Sequence, residues 1–214
     1  IAAYGVSVEN LKVTYDEGET ITYPNFTIKP GEKVLLTGDS GTGKSTLFKA
    51  LLGKIETKCG KITYFDKESQ PITNASLGYL PQDPIVFPIS IKDNITMFVK
   101  RTEKQLMNVV KNVELKSDLD KMPSGIDTVV NLKKNNLSGG QRQKIVLARS
   151  EIYNQPFVLM DEVTSAIDQK ATEEIITALL KTDQTILMIA HNFTPELRAK
   201  FDQEIRLAKK GEEE

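Results

Sequence analysis

The sequence is poor in several things that narrow its function. A single cysteine, Cys59, excludes an internal disulfide and fits a reducing compartment. No apolar run reaches the roughly 18 residues that a membrane-spanning helix needs, and no signal peptide is visible. Neither sign of charge is in excess. Twenty-eight Lys and Arg stand against 29 Asp and Glu, and a formal net charge of −1 gives no global attraction for nucleic acid or anionic lipid. No nucleic-acid partner is therefore expected. Internal repeats and low-complexity segments are also missing.

What is present is ordinary for a soluble globular protein. The chain has 214 residues, enough for one domain with a substantial core. It opens on Ile1 rather than Met, as a piece excised from a longer protein would. The acidic tail "GEEE" is expected to be solvated and frayed. The segments "EKVLLTG", "GKITYF", "LGYLP", "PFVLMDE" and "QTILMIAH" read as short strands, most of them buried. "KSTLFKALLG" reads as a helix stopped by Gly53, and "QKATEEIITALLK" as an amphipathic helix. From about residue 85 to 147 the signals turn helical. Thr102 and Gln105 there have capping-box spacing. Strands alternating with helices predict an α/β fold with a mostly parallel sheet, whose ligands gather at the C-terminal strand ends.

"GDSGTGKS" fits the pattern G-x-x-x-x-G-K-[ST] with Gly38, Gly43, Lys44 and Ser45. At average composition a chance match occurs roughly once in a hundred chains of this length. The context is also right, with a buried strand before and a helix after. Residues Gly38, Asp39, Ser40, Gly41, Thr42, Gly43, Lys44, Ser45 and Thr46 would wrap a polyphosphate in backbone N–H groups. Lys44 would reach the β- and γ-phosphates, and the Ser45 hydroxyl would ligate Mg²⁺. A bare turn does not need Lys44 followed by Ser45. At the end of "FVLMDE", Asp161 can hold the metal and Glu162 can orient water in line with the γ-phosphate.

A second glycine turn, "NNLSGGQRQKIVLARS", starts another helix with no anion obvious in its own surroundings. With the two motifs above, "LSGGQ" resembles the signature of the ATP-binding cassette family. The resemblance covers essentially the whole chain and keeps the family's order. After the phosphate loop come Gln82 in "YLPQD", then the signature, Asp161–Glu162, "SAID" and His191 after "LMIA". It implies a P-loop NTPase core, an N-terminal antiparallel β lobe and a helical lobe. The expected bounds are 1–35 and 57–80 for the β lobe and 84–145 for the helical lobe, all within a single domain, 1–214.

The resemblance further implies that two such domains meet head-to-tail around ATP. Ser138, Gly139, Gly140 and Gln141 would then bind the γ-phosphate held by the partner's phosphate loop, while Ser138 and Gln141 also have capping-box spacing. Gln82 would sense Mg²⁺ and the attacking water. His191 would hydrogen-bond the γ-phosphate, and Asp168 would lie at the dimer seam. An aromatic upstream of the phosphate loop would stack on adenine: Tyr15 is the choice, Tyr23 the alternative. "GYLPQDPIVFPISIKDNI" resembles exporter-type cassettes, and the short segment between Gln82 and Leu137 leaves no room for the insertions of DNA-repair relatives. The expectation is thus an ATPase motor at the cytoplasmic face of the cell membrane, working with a transmembrane domain in the same or another chain. A soluble nucleotide switch that is not coupled to transport is the alternative.

Overall fold

The alternation of buried residues in the first strand breaks by one position, and the break has a visible cause. Val6 and Val8 face the core, then Leu11 and Val13 do, so the period of two slips at Asn10. Asn10 takes a left-handed φ of 50°, and the register against the neighbouring strand shifts between Glu9 and Lys12. This is a β-bulge, which returns the apolar residues to the same face. The computed structural model describes residues 1–15 and 18–208. The side chain of Tyr15 and the acidic tail lie outside the described residues.

Strand β1 (Gly5–Tyr15) pairs antiparallel with β2 (Glu19–Thr22) and β3 (Phe26–Ile28). It also pairs antiparallel with β5 (Cys59–Phe65), which in turn holds β6 (Pro71–Ile72). A second sheet contains β4 (Lys33–Gly38), β7 (Gly78–Leu80), β8 (Phe157–Asp161), β9 (Thr185–Ile189) and β10 (Gln203–Leu207). Its order is β10-β4-β9-β8-β7, and β10·β4, β4·β9 and β8·β9 are parallel pairs. All five residues of β9 are buried, as a strand covered on both faces requires. The expected α/β fold, with a mostly parallel sheet and an antiparallel β lobe, is present.

The chain divides into two compact units. The first comprises Ile1–Tyr79, Pro156–Asp161 and Asp183–Glu214. Here Val6, Val8 and Ile28 of the antiparallel sheet share one core with Val34, Phe157 and Leu187 of the parallel sheet and with Phe48 of α1 (Lys44–Leu51). Full burial of each such side chain stabilises the fold by about 1.5–3 kcal/mol. Gly53, just past α1, takes a left-handed φ of 69° and closes the helix, as its place in the sequence predicts.

The second unit comprises Leu80–Gln155 and Glu162–Thr182. Its helices are α2 (Ile91–Thr96), α3 (Glu103–Asn112), α4 (Lys116–Asp120), α5 (Gly139–Tyr153) and α6 (Gln169–Leu179). The Thr102–Gln105 capping box has both of its hydrogen bonds. The helical signals expected over 85–147 are interrupted before α5, where "NLKKNN" has no apolar period. Asn131 and Asn136 organise that turn by hydrogen bonds to the local backbone.

Asn112 of α3 donates to Glu151 of α5 at 2.6 Å. Burial pushes the Glu151 carboxyl up, and the Asn112 hydrogen bond pulls it back only in part. The proton therefore binds the folded chain more tightly than the unfolded one. That contribution is complete below the ordinary glutamate range and is lost as pH rises through the raised value. Glu151→Gln keeps an acceptor for Asn112 and removes the buried charge. It is expected to raise the thermal unfolding midpoint at neutral pH and to leave it unchanged in acid below the ordinary glutamate range. A midpoint that falls at neutral pH would contradict this account.

Candidate functional site

The phosphate-loop residues run from the end of β4 into the first turn of α1. Gly43 is the N-cap of that helix, with φ 98° and no side chain to cap it. A β-carbon there would stand 2.7 Å from a methyl of Ile21 and 2.9 Å from the Tyr23 hydroxyl. Both the conformation and the space therefore demand glycine. Tyr23 donates its O–H to the Gly43 carbonyl at 2.8 Å, and the Thr42 hydroxyl donates to the Asp39 carbonyl at 2.8 Å. The loop is braced by Tyr23 from outside and by Thr42 from within. Lys44 is buried, and its ammonium donates to the carbonyls of Gly38 at 2.6 Å and Asp39 at 2.9 Å. The charge is thereby held inside the loop, beside the N–H groups at the start of α1. Asp39, Ser40, Gly41 and Ser45 are exposed. This combination of an inward cation, bare helix-start amides and a glycine-only turn fits a polyphosphate.

Strand register brings the other candidates of this unit to the same sheet edge. Asp161 ends β8 opposite Ile189 of β9, and Leu36 of β4 also pairs with Ile189. Gly38, Asp161 and His191 thus all lie at the C-terminal ends of neighbouring parallel strands. Gly38, Asp39 and His191 line a cavity of about 170 Å³ together with Thr37, Arg198 and Arg206. Tyr79 titrates above the ordinary tyrosine range, first because of burial and second because of the negative Asp161. Among the described residues no cluster of three or more His, Cys, Asp or Glu could hold a metal. A Mg²⁺ ion would instead meet the Ser45 hydroxyl, the Asp161 carboxylate and phosphate oxygens. That is a hard-oxygen set with few protein ligands, which suits Mg²⁺.

The signature turn lies in the helical unit. Ser138 caps α5: its Oγ accepts the Gln141 N–H at 3.1 Å, and Gln141 Oε1 accepts the Ser138 N–H at 2.9 Å. The first helical bond runs from Arg142 N–H to the Ser138 carbonyl. The N–H groups of Gly139 and Gly140 fall outside that ladder. Gln141 also donates to Asp118 at 3.0 Å, so both ends of its amide are engaged in the unit itself. The other Asp118 oxygen receives Lys144 at 2.9 Å. α4 thereby anchors the start of α5.

Glu162 follows Asp161 with a left-handed φ of 50°. Gln82 is exposed, and its carbonyl lies 3.4 Å from the Gln143 side-chain amide. The Asp168 carboxylate caps α6 by accepting the Ala171 N–H at 2.9 Å. Tyr15 ends β1, and its stacking role concerns a side chain outside the described residues. Tyr23, the alternative for adenine, is only 3% exposed. It cannot offer a ring face to a base; it braces the phosphate loop instead. Sequence reasoning passed over this brace, and also Gln143 and Asp118. A buried glutamine inside "QRQK" looks like any polar helix residue, and no periodicity marks it.

The family model for ABC transporter matches residues 21–165. The chain is 35% identical over 195 residues to the transport/processing ATP-binding protein MesD of Leuconostoc mesenteroides, covering 85% of this chain and 26% of that protein. It is 30% identical over 201 residues to the Lactococcin-A transport/processing ATP-binding protein LcnC of Lactococcus lactis subsp. lactis, covering 91% of this chain and 28% of that protein. The chain thus spans about a quarter of the length of these two relatives. A solved bacterial Atm1-family ABC exporter with ATP bound superposes with a TM-score of 0.79 at 26% identity, over 98% of this chain and 39% of that one.

The two signature glycines differ sterically. A β-carbon at Gly140 would lie 2.7 Å from the Ala166 carbonyl oxygen, whereas one at Gly139 would meet the Ala166 methyl at 3.4 Å and an Arg142 side-chain nitrogen at 3.9 Å. Gly140→Ala is therefore expected to lower the urea midpoint of unfolding. Gly139→Ala is expected to hold it or raise it, since alanine gains up to about 1 kcal/mol over glycine in a helix. Equal losses in both variants would refute this steric distinction.

Proposed function

The chain belongs to the ABC transporter family, and on that premise we propose that it is the nucleotide-binding domain of an exporter. ATP binding and hydrolysis, coupled to head-to-tail dimerisation of two such domains, would drive transmembrane export of a substrate. The observation that carries the reading is the phosphate loop, with Lys44 held at 2.6 Å from the Gly38 carbonyl inside a turn that only glycine can make at Gly43. A second helix start in the same chain, at Ser138–Gly139–Gly140, supports the shared-site arrangement. The printed names of MesD and LcnC as transport/processing proteins support export.

In this reading the loop amides and Lys44 bind the β- and γ-phosphates. Ser45 and Asp161 would hold Mg²⁺, whose charge neutralises the phosphate oxygens. Glu162 orients and polarises the attacking water, and His191 donates to the γ-phosphate. Gln82 would sense the ion and the water. Gly139, Gly140 and the Ser138 hydroxyl proton close on the γ-phosphate held by a second copy. The Ser138 oxygen already accepts within the capping box, so its proton is the part left to give. A transmembrane domain, fused or separate, receives the motion at the cytoplasmic face of the membrane.

Glu162→Gln is expected to bind MgATP, release phosphate very slowly and accumulate ATP-bound dimers in size-exclusion chromatography. A variant that stays monomeric in concentrated solution with saturating MgATP would refute the shared site. Lys44→Ala should lose nucleotide affinity, as read by equilibrium dialysis, and retained binding would remove the phosphate cradle. Phosphate release without any acceptor separates an ATPase from a kinase. For export, the gene product or its co-purifying subunit should carry several spans of about 20 apolar residues. Neither having them would favour the soluble switch.

A further inference from the structure

Gln143 lies in the second turn of α5 and is 4% exposed. Its Nε2 is 3.3 Å from the Glu162 carbonyl, 3.0 Å from the Ser165 hydroxyl and 3.4 Å from the Gln82 carbonyl. Two hydrogens cannot serve three acceptors well, so the longest contact, to Gln82, is the weakest. Its Oε1 accepts the Ala166 N–H at 2.9 Å. One side-chain amide thus grips both ends of the turn that follows Asp161.

That turn is unusual at its first residue. Glu162 holds a φ of 50°, a conformation that non-glycine residues keep only where their surroundings fix it. Its carbonyl also accepts the Ser165 N–H at 3.2 Å, which closes the turn on itself. Gln143 buttresses the same carbonyl from the helix. The task needs a neutral amide: a carboxylate could only accept and an ammonium could only donate.

We propose that Gln143 is a positioning residue for hydrolysis, which from the signature helix holds Glu162 in its left-handed turn and so aims its carboxylate. The inference rests on the reading of Glu162 as the residue that orients water. It also gives the signature helix a role in its own chain beyond any phosphate contact. The start of α5 and the backbone of Glu162 are tied by one side chain, so displacing the helix displaces the turn.

The test compares wild type, Gln143→Met and Gln143→Glu in the 214-residue chain. Methionine keeps the volume and loses both halves of the amide. Phosphate release, ATP affinity by a fluorescent analogue and the melting temperature are measured for each. Gln143→Met is expected to lower kcat by about tenfold to a hundredfold with KM and ATP affinity within about twofold, the mark of misplaced chemistry rather than lost binding. Gln143→Glu is expected to be equally slow at about pH 8. It should recover relative to wild type toward about pH 6, because its protonated carboxyl regains a donor. The ratio of Gln143→Met to wild type should stay flat with pH.

A Gln143→Met variant with kcat within about twofold of wild type would overturn the proposal. So would a loss of ATP affinity in step with kcat, or a pH-independent ratio for Gln143→Glu. If methionine prevents folding, the pH ratio of Gln143→Glu decides alone. A wild type that binds ATP and never releases phosphate would overturn the functional reading and this inference together. An active wild type with an equally active Gln143→Met overturns the inference only.

Discussion

Every α-helix begins with backbone N–H groups that its own ladder cannot use, and their disposal organises this molecule. Four starts, at Ser90, Thr102, Asp168 and Thr194, are closed by a side-chain oxygen. α1 starts instead at Gly43, which has no side chain to offer. α5 is intermediate. Ser138 and Gln141 satisfy each other, while the amides of Gly139 and Gly140 stay outside the ladder. Glycine thus stands at the start of α1 and of α5, and at none of those four others.

The supports behind these starts are as specific as the starts themselves. The Tyr23 hydroxyl reaches from the antiparallel sheet to hold the Gly43 carbonyl. Asp118 divides its two oxygens between Gln141 and Lys144. The parallel register sets Gly38, Asp161 and His191 at adjacent strand ends with no side chain needed to align them. In each case a rigid element does the placing, and the candidate residue is carried at its end.

The sequence revealed most of what has a period or a motif. The buried strands, the capping box at Thr102 and the glycine stop at Gly53 are local events. Neighbours in sequence decide them, so they could be read before any fold was known. The phosphate loop and the signature were legible because their spacing is rigid. The β-bulge at Asn10 left a trace in the slipped alternation of Val8 and Leu11, but the register shift that defines it exists only once β1 is paired with β5. Tyr23 was misjudged as a possible base platform because burial is a property of the assembled core. Gln143 was invisible for the same reason: its partners are 19 to 61 residues away in the chain. The left-handed turn at Glu162 carries no glycine or asparagine to announce it.

The Ala166 carbonyl sits 2.7 Å from where a side chain at Gly140 would begin. A second tie, from Gln143 to Ala166 N–H, keeps it there. Positions 140, 143 and 166 therefore cannot drift independently. A side chain at position 140 would need the turn after Asp161 to move, and that move would also carry Glu162, whose carbonyl is bonded to the same glutamine.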